Sequence, residues 1–538
     1  MNKQRQYYYI LFPLLSALLL FFAWPPNGLP YLVFIAFVPL LVLDEYTDSS
    51  PMRLFWSYYL AFFVFHLFAA WWMYSSTIIG SLLAHMFNAL YMSLVMLATQ
   101  RIKQKWGSFT SILLVFPAFW LTMEFVHFYW ELSWPWFTLG HVFAEQTATV
   151  QWYRYTGSLG GSFWVLIINS LIAIPAHPIF HGSKRYYLFH VLIIIALIFL
   201  PILLSKWIKT EIKTDSQLKV MVVQPNIDPR FDKFDKMSQQ EQLDIVKHLI
   251  EGHPTDLDLI VLPETMIIEP INEDSLETAA AIKYLRMLAG GENHIPVFTG
   301  AFTKKDQNIP AKDRKAIISK QNQKYVLYNS ALIIQNTNIQ VYHKTQLVPL
   351  VEKQPFYHLM KPIRNYIEKS GGFFGRYGTH NDHFSFEFED TFIVPLICFE
   401  SAYGGYAASN VHHQAGLIVL ITNDGWWSTP GGYKQHLAYA RLRALETGKS
   451  IIRAANTGVS GIINPYGNIT HRLEYGDRGI LTANVEINHE LTFYTRYGDY
   501  IGWMALGLAT IITILTVLTK MSVTHYNRRR AGISNLKR

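Results

Sequence analysis

Three residues have the types and settings for nucleophilic chemistry at a carbonyl: Cys398, Lys344 and Glu264. Cys398 is the only cysteine among 538 residues. It forms no disulfide within the chain, so it is either a small buried hydrophobe or a working thiol. It ends the apolar run Phe392 to Ile397 and is followed at once by Phe399 and Glu400. A thiol near its ordinary pKa of about 8.5 is mostly protonated at neutral pH, so a carboxylate must take its proton. Glu264, in Leu262-Pro-Glu-Thr265, is placed for that task. Lys344, in the run Tyr342 to Pro349, can lend positive charge to the thiolate and to the oxyanion of a tetrahedral intermediate. The set therefore reads as base, electrostatic stabiliser and nucleophile. The plain readings are a solvated loop acid, a surface lysine and a core cysteine.

Other residues cluster around these three. Glu352 either orients Lys344 or lines the site, and Glu400 either fixes the nucleophile's loop or pairs with the lysine. Asn423, Asp424 and Trp426 are expected to shape the pocket floor, with Asn423 alternatively serving only a turn. His343 neighbours the lysine, but strand alternation points it to the other face.

All three lie at the ends of strand-like runs. Leu218–Gln224, Leu257–Glu264, Pro296–Phe302, Phe392–Cys398 and Leu417–Thr422 read as strands, and Val326–Gln335 with Gln340–His343 as a hairpin. Gly458–Asn464 and Gly479–Val485 close the domain. Helices are expected from Ser238, with Glu241 three residues on as in a capping box, and over 275–289 and 433–448. Strands alternating with helices predict a layered α/β domain over 206–498.

The rest of the chain is different. A bilayer crossing takes about 20 apolar residues, and candidates lie near 7–24, 30–44, 55–74, 77–98, 110–129, 160–176, 187–205 and 499–519. This predicts a membrane domain of seven helices over 1–205 and one more helix, with a basic tail, over 499–538. The first run is too aromatic for a signal-peptide core and lacks a small-residue cleavage site. Lys3, Arg5, Arg101, Lys103, Lys105, Lys184, Arg185 and Arg528-Arg-Arg530 fall on one side of eight crossings. By the positive-inside rule that side is cytoplasmic, and the 206–498 domain lies outside. The net charge of +8 is then a topology signal and needs no nucleic-acid partner. The histidines of the spans, His66, His85 and His127, show no metal spacing, and no cofactor is indicated.

Glu264, Lys344 and Cys398 in this order, about 80 and 54 residues apart, resemble the nitrilase (carbon–nitrogen hydrolase) superfamily. So do Thr422-Asn-Asp-Gly-Trp-Trp-Ser428, the run His436 to Glu446, and Arg453-Ala-Ala-Asn-Thr-Gly458. A nitrilase-like domain between membrane spans, with Trp134-Pro-Trp-Phe-Thr-Leu-Gly140 in an outer loop, resembles the apolipoprotein N-acyltransferase family of the bacterial inner membrane. The resemblance implies an αββα sandwich in the periplasm. It also implies transfer of an acyl chain from a phospholipid, typically phosphatidylethanolamine, through a cysteine thioester. The acceptor would be the α-amino group of the S-diacylglyceryl cysteine that begins an apolipoprotein. The chain departs from the family pattern at Phe399, where Tyr is common, and at Phe234, where Trp is favoured. Both keep aromatic bulk, so a changed lipid preference or rate is expected.

The aromatic stretch from Lys353 to Gly378, with Gly371-Gly372 as a hinge, reads as a lid touching the outer leaflet. Two other functions use the same features differently. One is a membrane-tethered amidase of small amides, although a tether needs one span. The other is an inactive transporter or scaffold, although all three reactive residues are present and mid-span ionisable residues such as Glu124 are few.

Overall fold

A computed structural model of the protein describes all residues except 1–2, 48–49, 176–182, 209–211, 213, 253, 255, 291–294, 307–316, 319–323, 337, 364–375, 381–382, 413, 428–429 and 536–538. Among the described residues, seven helices are long and apolar enough to cross a bilayer: Gln6–Ala23, Pro51–Ala69, Ile78–Trp106, Ser108–His127, Tyr153–Ala173, Lys184–Trp207 and Tyr500–Leu518.

Six of these lie before residue 208, and the seventh span expected there, near 30–44, is not a single long helix. The 30–44 run is divided into a 3-10 turn, Pro30–Ile35, and a nine-residue helix, Val38–Tyr46. Pro30 and Pro39 each stand in a first turn, where proline starts a helix but cannot continue one. The run still retraces the first helix. Leu29 N–H donates to the Phe22 carbonyl at one end, and the Tyr46 ring lies 5.7 Å from the rings of Tyr8 and Phe12 at the other.

The helix ends sort into two layers. Trp24, Trp72 and Trp136 meet the soluble domain through Tyr439 and Gln435. At the far end Arg53 lies over the Tyr9 ring, Lys103 pairs with Asp44 at 2.8 Å, and Lys105 reaches the Thr516 carbonyl.

The soluble domain is a sandwich of two sheets. In the first, β1 (Ser216–Gln224), β2 (Leu259–Val261) and β4 (Val297–Asp306) run parallel, β3 (Ile267–Asn272) flanks β4, and β5 (Ile317–Ile318), β6 (Lys324–Gln335) and β7 (Asn338–His343) follow. In the second, β9 (Thr391–Ile397), β10 (Ala415–Thr422) and β11 (Ser450–Ala455) run parallel between β8 (Phe386–Phe388) and the β12–β13 pair (Ser460–Ile463, Ile469–Leu473). The last strand, β14 (Gly479–Ile487), returns to pair antiparallel with β1.

Alternate residues explain the layers. Val220, Val222, Leu259 and Val261 meet Ile397, Val419 and Ile452 between the sheets. Met221, Val223 and Ile260 face the helices Gln239–Ile250 and Ala280–Leu288 on one outer side. Leu396, Ile418 and Ile451 face the helices Gly404–Asn410 and Pro430–Thr447 on the other. Such strands, covered on both faces, read as continuous apolar runs. The expected αββα arrangement is what forms. Ser238 and Glu241 make the reciprocal capping box.

Candidate active site

Glu264 follows β2, Lys344 follows β7, Cys398 follows β9 and Asn423 follows β10, so the two sheets deliver their reactive residues to one end of the sandwich. Cys398 sits at φ +50° at the sharp turn from strand to 3-10 helix. That left-handed backbone is uncommon for a residue with a Cβ and persists only where the surroundings hold it.

Lys344 is buried, and its Nζ donates to Glu352 Oε1 at 2.8 Å and to Glu264 Oε1 at 3.5 Å. Burial pulls the ammonium's pKa down, but the carboxylates of Glu352 and Glu264 outweigh it and hold it above its ordinary value. Cys398 lies within electrostatic reach of Glu264, Lys344 and Asp424. Burial and the Glu264 carboxylate push its thiol well up, against the pull of Lys344. The resting Cys398 is thus a neutral thiol, and any attack by its sulfur requires that proton to leave.

Glu400 is fully buried and receives four donors. Tyr342 Oη (2.7 Å) and the N–H groups of Thr345 (2.6 Å) and Gln346 (3.1 Å) reach Oε1, and Ile397 N–H (2.8 Å) reaches Oε2. The carboxylate thereby ties the loop after Lys344 to the strand end before Cys398. Burial pushes it up to about 7 against those donors. Of its two expected roles, the loop clamp is the one these four hydrogen bonds perform.

Asn423 is buried, and its Oδ1 accepts from Asn456 Nδ2 at 3.1 Å. Asp424 accepts from Arg453 at 2.7 Å and lies 2.9 Å from His436 Nδ1. Burial pushes its carboxyl up, but Arg453 and His436 outweigh it and hold it well below the usual range. Trp426 is part-exposed and stacks on Phe234 at 5.8 Å, and its carbonyl accepts from Ser76 Oγ of the membrane half. Phe399 points elsewhere. Its ring is buried against Trp134 at 5.2 Å and Tyr403 at 5.3 Å. His343 pairs with Glu273 at 2.7 Å, away from Lys344.

Two further residues belong to the cluster. Asn329 Nδ2 donates to Glu264 Oε1 (2.8 Å) and Glu352 Oε1 (3.2 Å), bridging both carboxylates. Its signal in the sequence is a lone amide inside the apolar strand β6. Lys233 is buried under the base, with Nζ donating to the Glu264 carbonyl at 3.2 Å, and burial pulls it down to about 7. Its loop gives no such signal.

The aromatic stretch touches the membrane half where it is described. Phe356 N–H donates to Glu131 and Lys353 Nζ to Ser133 Oγ. Tyr366, Phe373, Phe374 and the Gly371-Gly372 hinge lie outside the described residues.

Residues 16–171 match the model of the apolipoprotein N-acyltransferase N-terminal domain, and residues 219–490 that of the carbon-nitrogen hydrolase family. The apolipoprotein N-acyltransferase of Chlorobaculum tepidum is 29% identical over 532 residues, 94% of this chain and 96% of that protein. Those of Pseudomonas paraeruginosa (28% over 411 residues) and Rickettsia prowazekii (27% over 424) align with 75% and 76% of this chain and 73% and 76% of their own lengths. A solved nitrilase-superfamily protein, Saccharomyces cerevisiae Nit3, aligns at 15% identity with a TM-score of 0.35, over 51% of this chain and 91% of its own.

Proposed function

Because this chain belongs to the carbon-nitrogen hydrolase family and aligns over nearly its whole length with an apolipoprotein N-acyltransferase, we propose that Glu264, Lys344 and Cys398 carry an N-acyl transfer that completes lipoprotein maturation. The donor is a phospholipid, with phosphatidylethanolamine as the expected class. The acceptor is the free α-amino group of an S-diacylglyceryl cysteine.

In the first half-reaction Glu264 takes the Cys398 proton as sulfur attacks the donor's ester carbonyl. The oxyanion forms in reach of the Lys344 ammonium. Its collapse expels the lysophospholipid oxygen, which takes the proton back from Glu264 and leaves an acyl thioester. In the second, the acceptor amine attacks the thioester and gives a proton to Glu264. The amide forms, and the Cys398 sulfur leaves with that proton. Glu352 holds the lysine's charge in both halves, so Glu264 remains available as a base.

One observation carries the lipid reading: the nucleophile's turn is seated on the membrane half, with the Phe399 ring against Trp134 at 5.2 Å and Trp136 at 6.5 Å. A soluble-substrate amidase has no use for that seat. The basic residues at the helix ends far from the catalytic domain support a cytoplasmic assignment for that end and a periplasmic site in the inner membrane. The retracing run at 30–46 supports eight crossings.

The test is intact-protein mass spectrometry after incubation with phosphatidylethanolamine vesicles, beside Cys398→Ala. One hydroxylamine-labile acyl chain is expected on the wild type alone, discharged by a diacylated lipopeptide. No adduct from any phospholipid, with small amides still hydrolysed, would replace the transferase by the tethered amidase.

A further inference from the structure

Resting on that acyl-transfer reading, we propose that His436 is a positioning residue that aims the peptide N–H following the nucleophile at the acyl oxyanion. His436 is fully buried on the helix Pro430–Thr447. Its Nε2 lies 3.0 Å from the Cys398 carbonyl oxygen and 2.8 Å from Ser401 Oγ. A carbonyl oxygen only accepts, so Nε2 carries a proton whatever the state of Nδ1. The other nitrogen is held 2.9 Å from Asp424 Oδ1, and Asp424 in turn by Arg453 at 2.7 Å. The rings of Trp427 and Trp136 flank the imidazole at 5.4 and 5.9 Å. The ring is therefore fixed on every side before substrate arrives.

The consequence follows from peptide geometry. The Cys398–Phe399 bond is trans, the single cis bond among the described residues being Pro25–Pro26. In a planar trans peptide the C=O and N–H point in opposite directions. Pinning the Cys398 carbonyl with His436, and with Ser401 Oγ at 2.9 Å, turns the Phe399 N–H to the opposite side. A backbone N–H following a nucleophile is a preorganised donor to the tetrahedral oxyanion, here opposite in origin to Lys344. The positive φ of Cys398 is the conformation that needs such external support.

Two near-isosteric variants separate this role from general support of the fold. His436→Gln places an amide donor near the position of Nε2, and His436→Asn near that of Nδ1. Two rates are read for each: single-turnover thioester formation from phosphatidylethanolamine vesicles, and alkylation of Cys398 by iodoacetamide. Alkylation forms the S–C bond as iodide leaves and passes through no oxyanion. The expected result is thioester formation slowed by roughly a hundredfold in His436→Asn, largely restored in His436→Gln, with alkylation unchanged in both. Equal thioester rates in His436→Asn and wild type would overturn the proposal, as would loss of both rates together. Should His436→Asn not fold, a folded His436→Gln that alkylates normally and does not acylate overturns it alone. A wild type that forms no thioester from phospholipid sinks the donor reading only. The variants are then compared on a small amide, whose acylation passes through the same oxyanion.

Discussion

Glu352 Oε1 lies 2.8 Å from Lys344 Nζ, nearer than Glu264 Oε1 at 3.5 Å. The lysine's charge is thus balanced chiefly by a carboxylate that also accepts Val348 N–H at 2.8 Å and is fixed in place. That arrangement leaves Glu264 free for the proton exchange proposed for it.

Glu352→Gln should therefore disable the base rather than the lysine. With Glu352 neutral, Glu264 becomes the sole anion beside the ammonium, and a paired carboxylate is a weaker base. Thioester formation in a single turnover should fall by roughly tenfold to hundredfold, while the variant stays folded in a thermal scan. An unchanged rate would refute the division of labour between the two glutamates.

The Glu400 clamp predicts a pH dependence. All four partners donate to it, so protonation puts a hydrogen where donors already point and loosens the loop after Lys344. With its value near 7, acylation should decline as pH falls through about 7, and Glu400→Gln should show a lower rate without that limb. Stability runs the other way. A carboxyl raised above its unfolded value favours folding fully at low pH, and that contribution is lost as pH rises through about 7. Glutamine mimics the protonated carboxyl, so the thermal midpoints of wild type and Glu400→Gln should lie closest at low pH and separate as pH rises through about 7. A pH–rate profile identical in both proteins would remove Glu400 as the cause.

Gln435 is the clasp between the halves. Its Oε1 accepts from the indoles of Trp72 (3.1 Å) and Trp136 (2.7 Å), and its Nε2 donates to the carbonyls of Pro25 (2.7 Å) and Ala69 (3.0 Å). Gln435→Leu strands four buried polar groups at about 1–3 kcal/mol each. A loss of at least ~3 kcal/mol is expected in denaturant unfolding of the detergent-solubilised protein. A midpoint equal to wild type would show that these groups find other partners.

The two aromatic departures should behave differently. Phe234 stacks on Trp426 at a part-exposed edge of the site, so Phe234→Trp should change the preference among acyl donors in a mixed-vesicle competition. Phe399 is buried against Trp134 and Tyr403. Phe399→Tyr should change the rate for all donors alike. A donor profile unchanged by Phe234→Trp, or reshaped by Phe399→Tyr, would reverse this assignment.

Much of the architecture was legible because membrane and sandwich strands leave strong local signals. Apolar runs marked the spans, and continuous buried strands such as Val394–Ile397 and Leu417–Ile421 stood out. The break inside the 30–44 run was not legible because hydropathy carries no information on where Pro30 and Pro39 restart a helix. Strand β11 was missed, since Arg453 interrupts its apolar pattern, and its charge is met by Asp424 from the turn after β10.

By itself the sequence singled out the groups proposed here to do the chemistry. A lone thiol, an acid after Leu262-Pro263 and a lysine before Thr345 are read from residue type and strand ends, which are local properties. Only the tertiary structure decided how those groups are tuned. The bridging amide of Asn329, the pairing of Lys344 with Glu352, the imidazole behind Cys398 and the indoles on Gln435 join residues 8 to 363 positions apart. Distances between such residues are set by the packing of two sheets and a membrane bundle, and no periodicity along the chain encodes them.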